Sequence, residues 1–300
     1  MAEISEQAIA AAFERRVRET GFLGEFWERF SRSPLAVAGL VVVVLTGLVA
    51  IFAPWISPYD PIEQNLRATL QPQSAVHWLG TDHLGRDVLA RVIYGARVSM
   101  YIGLLTTGIA LAGGLPLGLI SGYMGGTKVD ELIMRLVDAI LAFPSLVLAL
   151  AIAAMAGPGL IGAMVAISIT GIPTFARLLR GQVLSVREND YVMAARVLGA
   201  GPTRISMLHV FPNCLSPIIV QASLYVAFAI LIEASLSFLG LGVQPPEPTW
   251  GSMLRIGYGY LIIAPWLSIW PGAAIFVLVL GINLFGDGLR DVLDPRLRGR

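Results

Sequence analysis

DYVMAARVLGAGPTRISMLHVFPN, residues 190–213, stands between two apolar blocks that are each long enough to cross a bilayer. An island of this length and polarity reads as a short helix–turn–helix presented to a soluble partner. Tyr191, Ala194, Ala195, Leu198 and Gly199 place small and apolar groups on one helical face, while Arg196 and Arg204 are free to reach water or an acidic partner. The first helix ends across Gly199 to Pro202, because Gly releases backbone restraint and Pro cannot continue the hydrogen-bond ladder.

Working outward, the composition sets the surroundings of the island. The 300 residues are 56% hydrophobic and 14% charged, and the mean hydropathy is +0.73, which predicts an all-α polytopic membrane protein. A net charge of +1, with arginines spread over several loops, argues against nucleic acid as a partner. One cysteine, Cys214, allows no intramolecular disulfide. The opening MAEISEQAIAAAFERR has acidic residues and no short apolar run with a cleavage site, so a cleaved signal peptide is not expected.

A crossing needs roughly 20 apolar residues, and six candidate spans satisfy this: 35–56, 98–122, 132–156, 160–179, 215–238 and 266–285. Sixteen of the 21 Lys and Arg residues fall on the side of the island and both tails, against five on the other side. The bias puts both termini and the island in the cytoplasm. The expected organisation is a cytoplasmic tail (1–34), a first span (35–56), an outer loop (57–95), a five-helix core (96–287) that includes a cytoplasmic loop at 180–213, and a cytoplasmic tail (288–300). Within the first tail, Phe22, Leu23, Phe26, Trp27 and Phe30 alternate with Glu25, Glu28, Arg29 and Arg32, a pattern suited to a helix lying on membrane lipid.

Motifs for chemistry are missing from the sequence. Lys128 in GGTKVD lacks the phosphate-cradling spacing G-x-x-x-x-G-K-[ST], so the chain is not expected to hydrolyse ATP. His77, His83 and His209 form no metal-ligand pair. Ser145, Ser235 and Ser237 lie in apolar sequence without a nearby histidine, where serines ordinarily bond backbone carbonyls.

Several charges and small residues carry two readings. Glu233 in ILIEASLSFLG, with Ser235 and Ser237, either lines a pathway or satisfies a neighbouring helix or subunit. Arg135 and Asp138, at i and i+3, are expected to pair locally. Asp82, Arg86, Asp87 and Arg91 cluster before the second span, as an anion site or, more simply, as turn caps and salt bridges. Gly114, Gly118 and Gly122 form a small-residue stripe for close helix packing. Pro116, Pro144 and Pro173 permit kinks.

The order Ala194-Ala195, Gly199, Pro212-Asn213 resembles the EAA loop of importer-type ABC permeases, the element that docks into a groove on the ATPase subunit. SRSPLAVAGL, GTDHLGRDVLARVIYGARVS, EASLSFLGLGVQPPEPTWG and FGDGLRDVLDPRLRGR extend the likeness over nearly the whole chain, to the second permease subunit of the dipeptide and oligopeptide group. Met193 stands where that loop ordinarily has glutamate, so no salt bridge or cap comes from that position.

The resemblance implies a type I importer permease fold, a second homologous permease subunit, two ATPase subunits that bind ATP and Mg, and an extracytoplasmic solute-binding protein. It also implies a bacterial or archaeal inner-membrane location. On it, Tyr191, Ala194, Ala195, Arg196, Leu198, Gly199, Arg204 and Pro212 form the ATPase-coupling element, and the chain itself carries no cofactor and no catalysis. The loops 57–95 and 240–265 are then the dock for the binding protein. A stand-alone secondary transporter or channel is the alternative, for which Glu233 is the only intramembrane charge of note.

Overall fold

The structure, a computed structural model, describes Gly24 and residues 26–293. Nine α-helices of eight or more residues organise it, and no strand is present among the described residues. Helix α1 (Pro34–Ile56) starts where the Ser33 hydroxyl accepts the Ala36 N–H and Pro34 supplies a preset first turn. Its outward face, with Val41, Leu45, Leu48 and Phe52, is exposed, as suits a helix on the lipid side of the bundle. Most of the expected tail helix lies outside the described residues; at its end, Phe30 packs against Phe285 and Ala36.

Helix α2 (Val88–Tyr123) begins ten residues before the apolar block starts at Val98. Its early turns contain Arg91 and Arg97, which hide them from hydropathy, but the Asp87 carboxylate caps Ala90 N–H at 2.7 Å and fixes the start. The expected third span is broken. Helix α3 (Lys128–Leu141) and helix α4 (Ser145–Ala156) meet at 90° across Ala142–Pro144. Pro144 bars the residue before it from helical geometry and ends α3 there. The 12 residues of α4 are too few to cross alone.

Helix α5 (Leu160–Val186) pairs most extensively with α2. The stripe of small residues explains this contact: a methyl group on Gly118 would sit 2.5 Å from the Ala176 carbonyl oxygen, so only glycine lets the backbones approach. Past the short helix α6 (Asp190–Val197), one irregular run from Pro202 leads into α7 (Leu215–Phe238). Helix α8 (Trp250–Gly259) lies across the far end of the bundle, and α9 (Trp266–Leu293) completes it. Five of these helices are long and apolar enough to cross a membrane, and the bent α3–α4 pair, if taken as one span, would be a sixth.

The far end is tied together by groups that hydropathy cannot see. Trp250 Nε1 donates to Val92 O at 3.0 Å, joining α8 to α2, and Trp266 Nε1 donates to Thr81 O at 3.3 Å, joining α9 to the loop before α2. Asp82 accepts from Arg86 Nε at 2.7 Å, with Arg91 Nε 3.7 Å away, and His77 Nδ1 meets Asp87 at 2.9 Å. All four members of the expected charge cluster are buried and satisfied as caps and ion pairs. Beside them burial holds the His83 imidazole below its ordinary pKa, favouring the neutral ring.

Candidate functional site: the loop between α5 and α7

A neck of ion pairs carries this loop. Arg180 grips Asp130 with two bonds, Nε to Oδ1 at 2.6 Å and Nη2 to Oδ2 at 2.8 Å. Asp130 also accepts from the Ser121 hydroxyl and, at 3.0 Å, from Gly126 N–H. One carboxylate thereby joins α2, α3 and α5. Arg187 Nη1 donates to Gly122 O at 3.0 Å and Tyr123 O at 3.2 Å, tying the end of α5 to the last turn of α2. The expected Arg135–Asp138 pair does not form. Arg135 reaches back to Glu131, and Asp138 instead meets Arg177 of α5. The i,i+4 partner on the same stripe competes for Arg135, and the α5 crossing brings a second guanidinium to Asp138.

Helix α6 buries one side chain against this neck. Val192 is fully buried in a cluster with Val183, Ile205, Val210 and Cys214, and burying such a side chain contributes about 1.5–3 kcal/mol. The helix ends in a Schellman cap: Gly199 has φ +83°, its N–H donates to Arg196 O at 3.0 Å, and Ala200 N–H donates to Ala195 O at 3.1 Å. Ala195 therefore serves the cap and is half-buried. Tyr191 OH donates to His209 O at 3.2 Å, and Asn213 Nδ2 donates to the same oxygen at 2.8 Å.

That carbonyl is available because the chain from Ile205 to Val210 is wound as a π-helix and from Phe211 to Cys214 as a 3₁₀ turn. Pro212 lacks an N–H, and the wider turn before it relieves the ring's clash with the preceding carbonyls. Pro212 thus shapes the root of α7 at the base of the loop. Asn213 braces that root through its bond to His209 O, and Tyr191 ties α6 to the same oxygen.

The outward surface is apolar. Val197 and Leu198 are each 87% exposed, and Met193, Met207 and Leu208 are exposed around them. Ala194, Arg196, Gly199 and Arg204 are exposed as well. Neither Arg196 nor Arg204 makes an ion pair with a described residue, whereas Arg177, Arg180 and Arg187 all do. Two residues outside the expected apolar face complete the picture: Val192 points inward, and Val197 joins Leu198 at the crest.

Glu233, Ser235 and Ser237 lie at the other end of α7. Glu233 is completely enclosed, Oε1 accepts from Ser237 Oγ at 2.7 Å, and Oε2 has no partner among the described residues. Ser235 turns away and donates to Leu231 O at 2.8 Å. No group of three or more His, Cys, Asp or Glu side chains is gathered for a metal among the described residues.

Residues 114–299 match the model of the binding-protein-dependent transport system inner membrane component, and residues 21–72 match the N-terminal transmembrane domain of oligopeptide transport permease C. The chain belongs to this family of ABC importer permeases. It is 49% identical over 282 residues to the di/tripeptide transport system permease protein DppC of Pseudomonas aeruginosa (strain UCBPP-PA14), covering 92% of this chain and 93% of the relative. It is 44% identical to the probable D,D-dipeptide transport system permease protein DdpC of Escherichia coli (strain K12), covering 99% of both.

A solved structure titled as an inward-facing conformation of the MetNI methionine ABC transporter superposes with a TM-score of 0.58 at 18% identity, over 69% of this chain and 97% of that one. This likeness establishes the type I permease fold. The family assignment leaves the stand-alone transporter without support. This chain is a transmembrane permease subunit.

Proposed function

We propose that this chain forms half of a translocation pathway for di- or oligopeptides and couples it to ATP hydrolysis through Asp190–Gly199. The observation that carries the coupling role is the crest of Val197 and Leu198, each 87% exposed on a helix whose other face is anchored by buried Val192. Apolar side chains at the tip of a polar loop gain nothing from water, and an ATPase groove would bury them. Arg196 and Arg204 flank the crest and favour an acidic rim on that groove, setting orientation and encounter rate more than affinity.

The charge bias places the loop and both termini in the cytoplasm of a bacterial or archaeal cell whose inner membrane holds the protein. ATP and Mg belong to the two partner ATPase subunits, and the chain itself has no catalytic role. A second, homologous permease subunit completes the pathway. On the far side, Tyr258, Leu261, Ile262 and Ile263 form an exposed apolar ridge beside the loop before α2, and this ridge suits a solute-binding protein that delivers the peptide. Peptide as the substrate class rests on the relatives named for dipeptides and tripeptides. Glu233, enclosed and bonded to Ser237, is a brace for the end of α7.

Mild-detergent purification of this chain with mass spectrometry of what remains bound tests the assembly. A second permease and two P-loop ATPases are expected. A transport-competent particle holding this chain alone would overturn the reading.

A further inference from the structure

Beneath the α3–α4 elbow lies a half-open cleft of about 450 Å³, lined by Leu117 of α2, Ile133, Val137 and Ile140 of α3, Leu148 of α4 and Pro173 of α5. Every side chain that lines it is apolar. Nothing in the wall can bond a peptide's amides, so the cleft is unfit for the transported solute.

The surroundings match a lipid. Lys128, Glu131, Arg135 and Asp138 form a polar stripe along α3, while Leu132 and Leu136 are exposed apolar groups on its other side. Such a helix lies in the membrane interface, and the apolar α4 turns away from it at 90°. The elbow therefore sits at headgroup depth and the cleft in the hydrocarbon below it. At its lip, Arg177 stands one turn along α5 from Pro173 and pairs with Asp138, and both side chains are more than half exposed. A guanidinium at this depth matches a phosphate, and the neighbouring carboxylate matches the ammonium of a zwitterionic headgroup.

We propose that this cleft is a phospholipid site: one acyl chain fills the space under the elbow, and the lipid phosphate binds Arg177. The site depends only on the membrane setting and stands apart from the coupling and substrate readings.

The test uses the complete transporter in proteoliposomes that contain phosphatidylethanolamine with a photoactivatable diazirine midway along one acyl chain, and maps the labelled peptides. Labelling is expected to concentrate on residues 133–148. Ala139→Trp, which fills the cleft from an exposed position at its lip, should reduce that labelling about tenfold or more, since displacing two methylenes from an apolar site already corresponds to such a factor. Leu148→Phe, from the opposite wall, should reduce it in the same direction, and Arg177→Gln should reduce it less. Labelling at Phe276 and Leu280, on the exposed face of α9, should not change. Co-purification of the partner subunits shows that each variant is assembled. Equal labelling of the cleft and α9, unaffected by Ala139→Trp, would overturn the proposal by showing ordinary surrounding lipid only. Cross-links from cleft residues to another subunit would overturn it by showing that protein covers the cleft.

Discussion

Asp82 at the far end of the bundle is enclosed by Arg86 and Arg91, whereas Arg196 and Arg204 at the tip of the α5–α7 loop have no acidic partner among the described residues. Both regions read alike in sequence, as arginines among turn residues. Their difference is one of saturation. The far-end cluster spends every charge inside the subunit and holds two loops together, while the tip leaves cations and large apolar side chains facing outward together. Buried charge that is fully paired is architecture, and exposed charge beside exposed Val197 and Leu198 is a surface awaiting a partner.

The largest effect expected from breaking this contrast is at the saturated end. Asp82→Ala strands Arg86 and Arg91 without their carboxylate in a buried setting, and loss of one partner from such a group costs about 3–5 kcal/mol. Thermal unfolding of the purified variant should show this as a large drop in stability, and an unchanged transition would remove the architectural role. At the tip the expected pattern is reversed. Leu198→Glu leaves the thermal transition where it was, because the side chain touches little in its own subunit, but weakens association with the ATPases by about tenfold or more through the cost of burying a charge. Binding measured at fixed salt checks this. Normal affinity in that variant would sink the docking assignment.

Gly199 is a poorer probe of docking than it looks from sequence. Its φ of +83° is one that only glycine adopts without strain, so any replacement disturbs the cap of α6 as well as the surface. A smaller and more local effect is expected from Tyr191→Phe, which removes the hydroxyl bond to His209 O and leaves Asn213 in place. One hydrogen bond of this kind contributes about 1 kcal/mol. Hydrogen exchange should show faster opening of residues 190–199 with the rest of the bundle unchanged; equal protection would mean that the Tyr191 hydroxyl does not hold α6 to the root.

The same contrast explains what was legible in the sequence. Long apolar blocks announced the spans, and the polar island between two of them announced the loop, because hydropathy averages over a whole crossing. Pro144 reads in the sequence as a kink and not as a 90° break, since residues 132–156 average as one apolar block, even though Lys128, Glu131, Arg135 and Asp138 recur at helical spacing on α3. The early start of α2 was hidden by the charges of Arg91 and Arg97, and the burial of Arg91 depends on Asp82 and on the carbonyl of Pro61, 30 residues away. On α6, eight residues carry apolar groups on two sides. Only packing against Ile205 and Val210 decides that Val192 faces in and Val197 faces out. Glu233 was legible as a buried charge, but its bond to Ser237, and the turning away of Ser235, follow from the register of α7.

The most direct test of the central claim is the accessibility of a single thiol at the crest. Cys214 is fully buried and leaves a silent background for Val197→Cys labelled with a maleimide. The account predicts rapid labelling in the isolated chain and protection of about tenfold or more once both ATPases are bound, since the core of an interface excludes water. Equal labelling rates in the isolated chain and in the assembled transporter would contradict it.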